Sequence, residues 1–197
     1  MVEKDRSNQQ SKMDVPAVSL LAPAPFCGPI EITDPSSVAE IYRFRAKVWK
    51  AEGFAVNPCP DEHSIHARHW IVTRDGETVG AARLCFHTLI EETPDFEDIM
   101  HLGLSVSYRF GFLSRLVVCP SARGHHLSTY LDAVRVESAR VAGAMAVLGR
   151  FHEYRVKGLA ALGFRPIAEF HNPKFGNRLV VIMQLDLRDD QDESEHP

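Results

Sequence analysis

The sequence has no surplus of basic charge: 22 Lys and Arg face 26 Asp and Glu, for a net charge of −4 over 197 residues. No overall positive field therefore exists to hold nucleic acid or an anionic membrane. Cysteine is scarce and unpatterned. Cys27, Cys59, Cys85 and Cys119 show no CxxC spacing, which argues against a zinc ribbon or a disulfide framework and fits reduced thiols in a cytosol. No apolar run approaches the roughly 20 residues of a membrane span, and the opening MVEKDRSNQQSKMDV is polar where a secretory signal needs an apolar stretch. These absences predict a soluble cytoplasmic protein with no membrane span.

What is present is enough apolar residue, 45% of the chain, for one well-packed core. Residues 1–29 mix polar residues with an Ala/Pro-rich run of no sustained period and read as a flexible arm, and residues 188–197 as an acidic, disordered tail. Between them, residues 30–187 read as one domain. Asp34 caps a helix whose apolar positions run from Val38 to Trp49 and which ends near Gly53. Strands are expected over His69–Thr73 and Thr78–Phe86 around the turn Asp75-Gly76, then over Gly111–Val118, closed by Pro120. The stretch between 87 and 107 reads as a long excursion with a short helix over Phe96–Leu102. A helix from Arg123 to Ala142, a strand over Ala144–Leu148, a helix from His152 to Leu162 and strands over Arg165–Phe170 and Arg178–Leu187 complete an α/β (α+β) order.

Chemistry concentrates in Leu116-Val117-Val118-Cys119-Pro120-Ser121-Ala122-Arg123-Gly124-His125-His126-Leu127-Ser128, where an apolar strand stops at a proline and a loop opens a helix. Unpaired backbone N–H groups at a helix start carry partial positive charge and hold a pyrophosphate. Arg123 adds a charged contact.

This segment resembles the signature of the GNAT superfamily, L-x-V-x-P-x-x-R-G-x-G-x-G/A-x-x-L, through Leu116, Val118, Pro120, Arg123, Gly124 and Leu131, with His126 and Ser128 standing where small residues are usual. The ending Leu162-Gly163-Phe164 and the final strand pair extend the resemblance over most of residues 30–187. It implies a GNAT-like acyl-CoA N-acyltransferase fold, a central, mostly antiparallel mixed sheet with helices on both faces. The donor implied is acetyl-CoA or a longer acyl-CoA, its pyrophosphate on Arg123, Gly124, His125, His126, Leu127 and Ser128 and its pantetheine arm on the main chain of Leu116 and Val118. Arg45 and Trp49, Gly80-Ala81-Ala82-Arg83-Leu84 and Ser114-Arg115-Leu116 further resemble the acyl-homoserine-lactone and N-acyl amino acid synthases, although Phe112 stands where those enzymes have an acidic residue. That branch implies a small-molecule amine acceptor, an amino acid among the options, held by Arg45, Trp49, Arg83 and Arg115. It also admits acyl carrier protein as donor, docking on Arg150, Arg155 and Lys157, with the excursion roofing an acyl tunnel.

Acyl transfer needs a deprotonated amine. Glu52, Asp61, Glu62, His66 and His69 are candidate bases, with Glu62 and His66 preferred. Many GNAT enzymes protonate the leaving thiolate with a tyrosine four residues before the glycine of L-G-F; Leu159 holds that position here, and Tyr154 falls in a different helical register. His63, His66 and His69 are spaced by three rather than four, so no metal is expected. The sequence leaves open a homodimer, and also a catalytically degenerate GNAT fold that senses acyl-CoA.

Overall fold

The computed structural model describes residues 21–54, 61, 63, 67–94 and 96–188. Seven strands form one sheet in the order β1-β2-β3-β4-β5-β7-β6: β1 (Phe26–Ile32), β2 (Arg68–Arg74), β3 (Glu77–His87), β4 (Phe110–Val118), β5 (Ala146–His152), β6 (Arg165–Asn172) and β7 (Arg178–Asp186). Every pairing is antiparallel except β4 with β5. Three helices, α1 (Pro35–Ala51), α2 (Leu127–Val141) and α3 (Glu153–Ala160), cover the two faces.

Alternation along the strands assigns the faces. On β3, Ala82 and Leu84 pack with Leu127, Leu131 and Ala139 of α2 and Leu159 of α3, whereas Ala81 packs with Ile41 and Val48 of α1. Asp34 caps α1 by accepting from the Ser37 amide at 2.8 Å, and the hydrogen bond from the Ser36 hydroxyl, followed by those from Ser37, holds its carboxyl down to about 2.

The long excursion lies on the α1 face, where Ile90, Ile99 and Val106 join Phe110 and Phe112 of β4, Leu148 of β5 and Ile182 of β7 in a dry cluster. Asp98 pins it by accepting from Arg150 at 3.0 Å and Lys174 at 2.5 Å.

Several boundaries differ from the sequence reading. Residues 1–29 do not all lie outside the fold, because β1 starts at Phe26 and pairs with β2; a strand of mixed burial carries little periodic signal. The excursion holds three single 3₁₀ turns in place of the short helix. The second helix starts at Leu127 rather than Arg123, which leaves Arg123–His126 as loop.

Candidate active site

Strands β4 and β5 pair only from Phe110↔Ala146 to Leu113↔Gly149. Beyond that point β4 follows β3 while β5 follows β7, so the sheet opens into a wedge. A bulge deepens the parting: Arg83 pairs with Ser114 but Ala81 with Val117, and Arg115 takes a positive φ of 52°. The buried guanidinium of Arg135 on α2 stabilises this irregular backbone by donating to the carbonyls of Arg83 at 2.9 Å and Ser114 at 3.3 Å.

Because the Cys119 amide bonds the Val79 carbonyl at 2.8 Å, the antiparallel alternation turns the N–H and C=O of Val118, and of Leu116 two residues back, away from β3 and toward the opening. Edge groups of this kind pair with an extended ligand.

At the end of β4 the chain makes a 3₁₀ turn over Pro120–Ala122 and enters α2 through Gly124 at φ 84° and His126 at φ 57°. His126 is the N-cap and makes no side-chain cap. Among the described residues, the amides of Gly124, His125, His126, Leu127 and Ser128 reach no backbone carbonyl; the first helical bond is Thr129 to His126 at 2.8 Å. Five consecutive free donors at a helix N-terminus are an arrangement, a cradle, suited to an anion. A Cβ at Gly124 would meet nothing within 4 Å, so the glycine serves the left-handed turn rather than a close contact.

The opening and the cradle share one cleft of about 630 Å³, lined by Leu116, Val118, Arg123, Gly124, His126 and Ser128, with Trp49, Glu52, Tyr154, Arg155 and Arg178 across from them. Arg155 is anchored from behind by the buried carboxylate of Asp132, which also binds Arg135. Arg123 does not point freely at the cradle: its Nε donates to the Val118 carbonyl at 3.2 Å and its terminus pairs with Glu52 across the mouth. His125 also turns away, its ring packing on Phe26 at 5.0 Å.

One turn below Trp49 on the same stripe of α1, a second polar cluster lies against the α1 face. Arg83 is fully buried and donates to Ser114 at 2.9 Å, Tyr42 at 3.0 Å and Asp61 at 2.5 Å. Arg115 reaches the other oxygen of Asp61 at 3.3 Å. Arg45 is 1% exposed, lies over the Tyr42 ring at 5.2 Å, and has no hydrogen-bond partner among the described residues on any of its three nitrogens. Burial lowers its pKa to about 9, Tyr42 opposes that, and Arg83, Arg115 and Arg135 lower it further. It therefore remains charged at neutral pH.

With the wedge, the bulge and the cradle in place, the comparisons are decisive for the architecture. The AHL synthase LasI superposes with a TM-score of 0.64 at 14% identity over 82% of this chain and 92% of its own. The fold is that of the GNAT acyltransferases. FeeM, an N-acyl amino acid synthase from uncultured soil microbes, superposes at 0.56 with 11% identity over 81% of this chain and 92% of its own. The ribosomal-protein-S18-alanine N-acetyltransferase of Escherichia coli gives 0.55 with 11% identity over 83% and 97%. No family model matches the sequence, and no curated protein is similar to it at the level of sequence.

Of the residues singled out from sequence, Leu116, Val118, Arg123, Gly124, His126, Leu127, Ser128 and Trp49 line the cleft, and Arg45, Arg83 and Arg115 gather in the second cluster. Glu62 and His66 lie outside the described residues. His69 belongs to β2, beside Tyr42, while His63 approaches His87, so those two do not share a helix face. Arg150 and Arg155 are paired inward with Asp98 and Asp132 and do not form an open patch with Lys157. No helix among the described residues is long and apolar enough to cross a membrane. Tyr154 is the residue the helical register argued against: α3 begins at Glu153, so its first turn, not its last, presents a tyrosine to the cleft, while Leu159 is buried in the core. Arg178 was missed, since a strand-start arginine carries no signal of its own.

Proposed function

We propose that this chain transfers an acyl group from acyl-CoA to the primary amine of a small molecule that carries a carboxylate, an amino acid being the simplest such acceptor. The observation that carries the reading is the continuity of wedge and cradle: β4 edge groups that face the opening, of which the Val118 carbonyl is held by Arg123, run directly into five unpaired amides, a track suited to pantetheine followed by pyrophosphate. Arg155 and Arg178 add positive charge along it, and Arg123 joins them once it exchanges Glu52 for phosphate.

The acceptor belongs on the Arg45, Arg83 and Arg115 side. Arg83 and Arg115 share Asp61, whereas Arg45 has no hydrogen-bond partner among the described residues, and a buried guanidinium without one is costly until an anion meets it. A carboxylate on Arg45 and Arg115 would leave the amine beside Ser114, next to the parting of the strands. The amine nitrogen then attacks the thioester carbon, a C–N bond forms and the C–S bond breaks. The amine's proton leaves to a base, for which Glu62 and His66 remain the candidates, and the thiolate takes a proton from Tyr154. Asp61 is a poor base here, because both its oxygens are held by arginines.

Thiol release, measured with acetyl-, octanoyl- and palmitoyl-CoA against amino acids and their decarboxylated amines, tests this. Turnover is expected with carboxylated acceptors and at least tenfold less with the amines. Binding of CoA without turnover anywhere in the panel would favour a sensor instead.

A further inference from the structure

The point where β4 and β5 part is packed with side chains on both faces of the sheet. Phe151 folds its ring back over Gly149, the last β5 residue paired with β4: a Cβ built at Gly149 would come within 2.5 Å of Phe151 Cζ and 3.1 Å of the Leu113 carbonyl. Only glycine leaves room for an aromatic ring flat on the strand at this position. The ring is itself fixed, 8% exposed, edge-on to Phe164 at 6.2 Å and beneath the Arg155 guanidinium at 5.9 Å. On the opposite face, Phe112 and Leu148 are sealed under Ile90 and Ile99 of the excursion. Where a tunnel roof was expected from sequence, the excursion fills the space with its own side chains, and Asp98 fastens it to Arg150 and Lys174. On β4 the cleft lining reaches down to Leu116 and no further.

From this packing we infer that the chain is selective for short acyl donors, acetyl to about butyryl, and that Phe151, seated on Gly149, is the residue that sets the limit. The inference rests on the donor lying in the wedge as proposed above. A chain lying along β4 with its thioester at the Leu116 end of the cleft directs its acyl carbons toward the Phe151 ring. Close-packed cores do not yield room without loss, so each methylene beyond the limit costs a factor of about ten or more in kcat/KM.

The test is kcat/KM for saturated acyl-CoA donors from two to sixteen carbons, with wild type, Phe151→Leu and Phe151→Ala, alongside calorimetric binding of CoA. The expected result is a wild-type optimum at two to four carbons with a fall of about 10,000-fold by eight, four methylenes past the limit. The substitutions should raise the octanoyl-to-acetyl ratio by about tenfold or more. Phe151→Leu keeps an apolar side chain in the core and serves if the alanine variant does not fold. A wild-type optimum at eight carbons or longer, or a ratio unmoved in a folded variant, overturns the inference while leaving acyl transfer intact. Absence of CoA binding overturns both.

Discussion

Two arginines bracket the site under opposite conditions. Arg123, at the mouth, is half exposed and fully engaged, bonded to Val118 and paired with Glu52. Arg45, on the α1 face, is almost completely buried and hydrogen-bonded to none of the described residues. An exposed ion pair is worth little and exchanges readily for a better anion. A buried unpaired guanidinium is costly in the empty protein and repays that cost only when an anion arrives. The mouth would thus admit the proposed donor at small expense, while the α1 side holds a guanidinium to which the described residues supply no hydrogen-bonded anion.

Breaking the buried member of this comparison should have the largest effect. Arg45→Met removes an uncompensated charge, so the empty protein should unfold at an unchanged or higher temperature, stabilised by up to about 1 kcal/mol. The acceptor's KM should nevertheless rise roughly 30-fold or more, equivalent to about 2 kcal/mol, for the lost charged contact. Thermal denaturation and steady-state kinetics on one preparation separate the two; a destabilised variant with normal acceptor KM would make Arg45 a structural residue. At the mouth, Glu52→Gln frees Arg123 and should tighten CoA binding by no more than about fivefold, read by calorimetry at low salt.

The smallest effect sharpens the contrast with a part-buried histidine that stays neutral. His87 is pushed down to about 4 by burial, with His63 and Arg83 reinforcing the shift and Glu92 opposing it. Its folded pKa lies below its unfolded one, so the unfolded chain takes up the proton first. Stability should therefore fall as pH drops from about 6.5 toward 4, and His87→Gln should flatten that part of the curve in pH-dependent denaturation.

Much of this architecture was legible in the residues. The Asp34 cap, the Asp75-Gly76 turn and the strand stopped by Pro120 are local signals, and the structure places helices and strands accordingly. The cradle was legible because a proline, an arginine-glycine pair and a helical period fall in sequence order. Other features were set by contacts distant in sequence. The pairing of Arg123 with Glu52 spans 71 residues, and the orphaned state of Arg45 depends on which side chains fail to reach it. Phe151 reads as an ordinary strand aromatic until its ring is seen on Gly149. A register counted back from Gly163 places Tyr154 outside the usual position of the acid, whereas the start of α3 at Glu153 is what brings it to the cleft lining.

The central claim is that free main-chain amides at the start of α2 hold the donor's pyrophosphate. Calorimetry with CoA and with pantetheine, on wild type and Ser128→Pro, tests it directly, since proline is tolerated in the first helical turn and removes one amide donor. The account predicts that wild type binds CoA at least 100-fold more tightly than pantetheine and that Ser128→Pro loses about tenfold for CoA alone, the loss of one charge-assisted hydrogen bond. Equal binding of CoA and pantetheine, or no CoA binding, would contradict it.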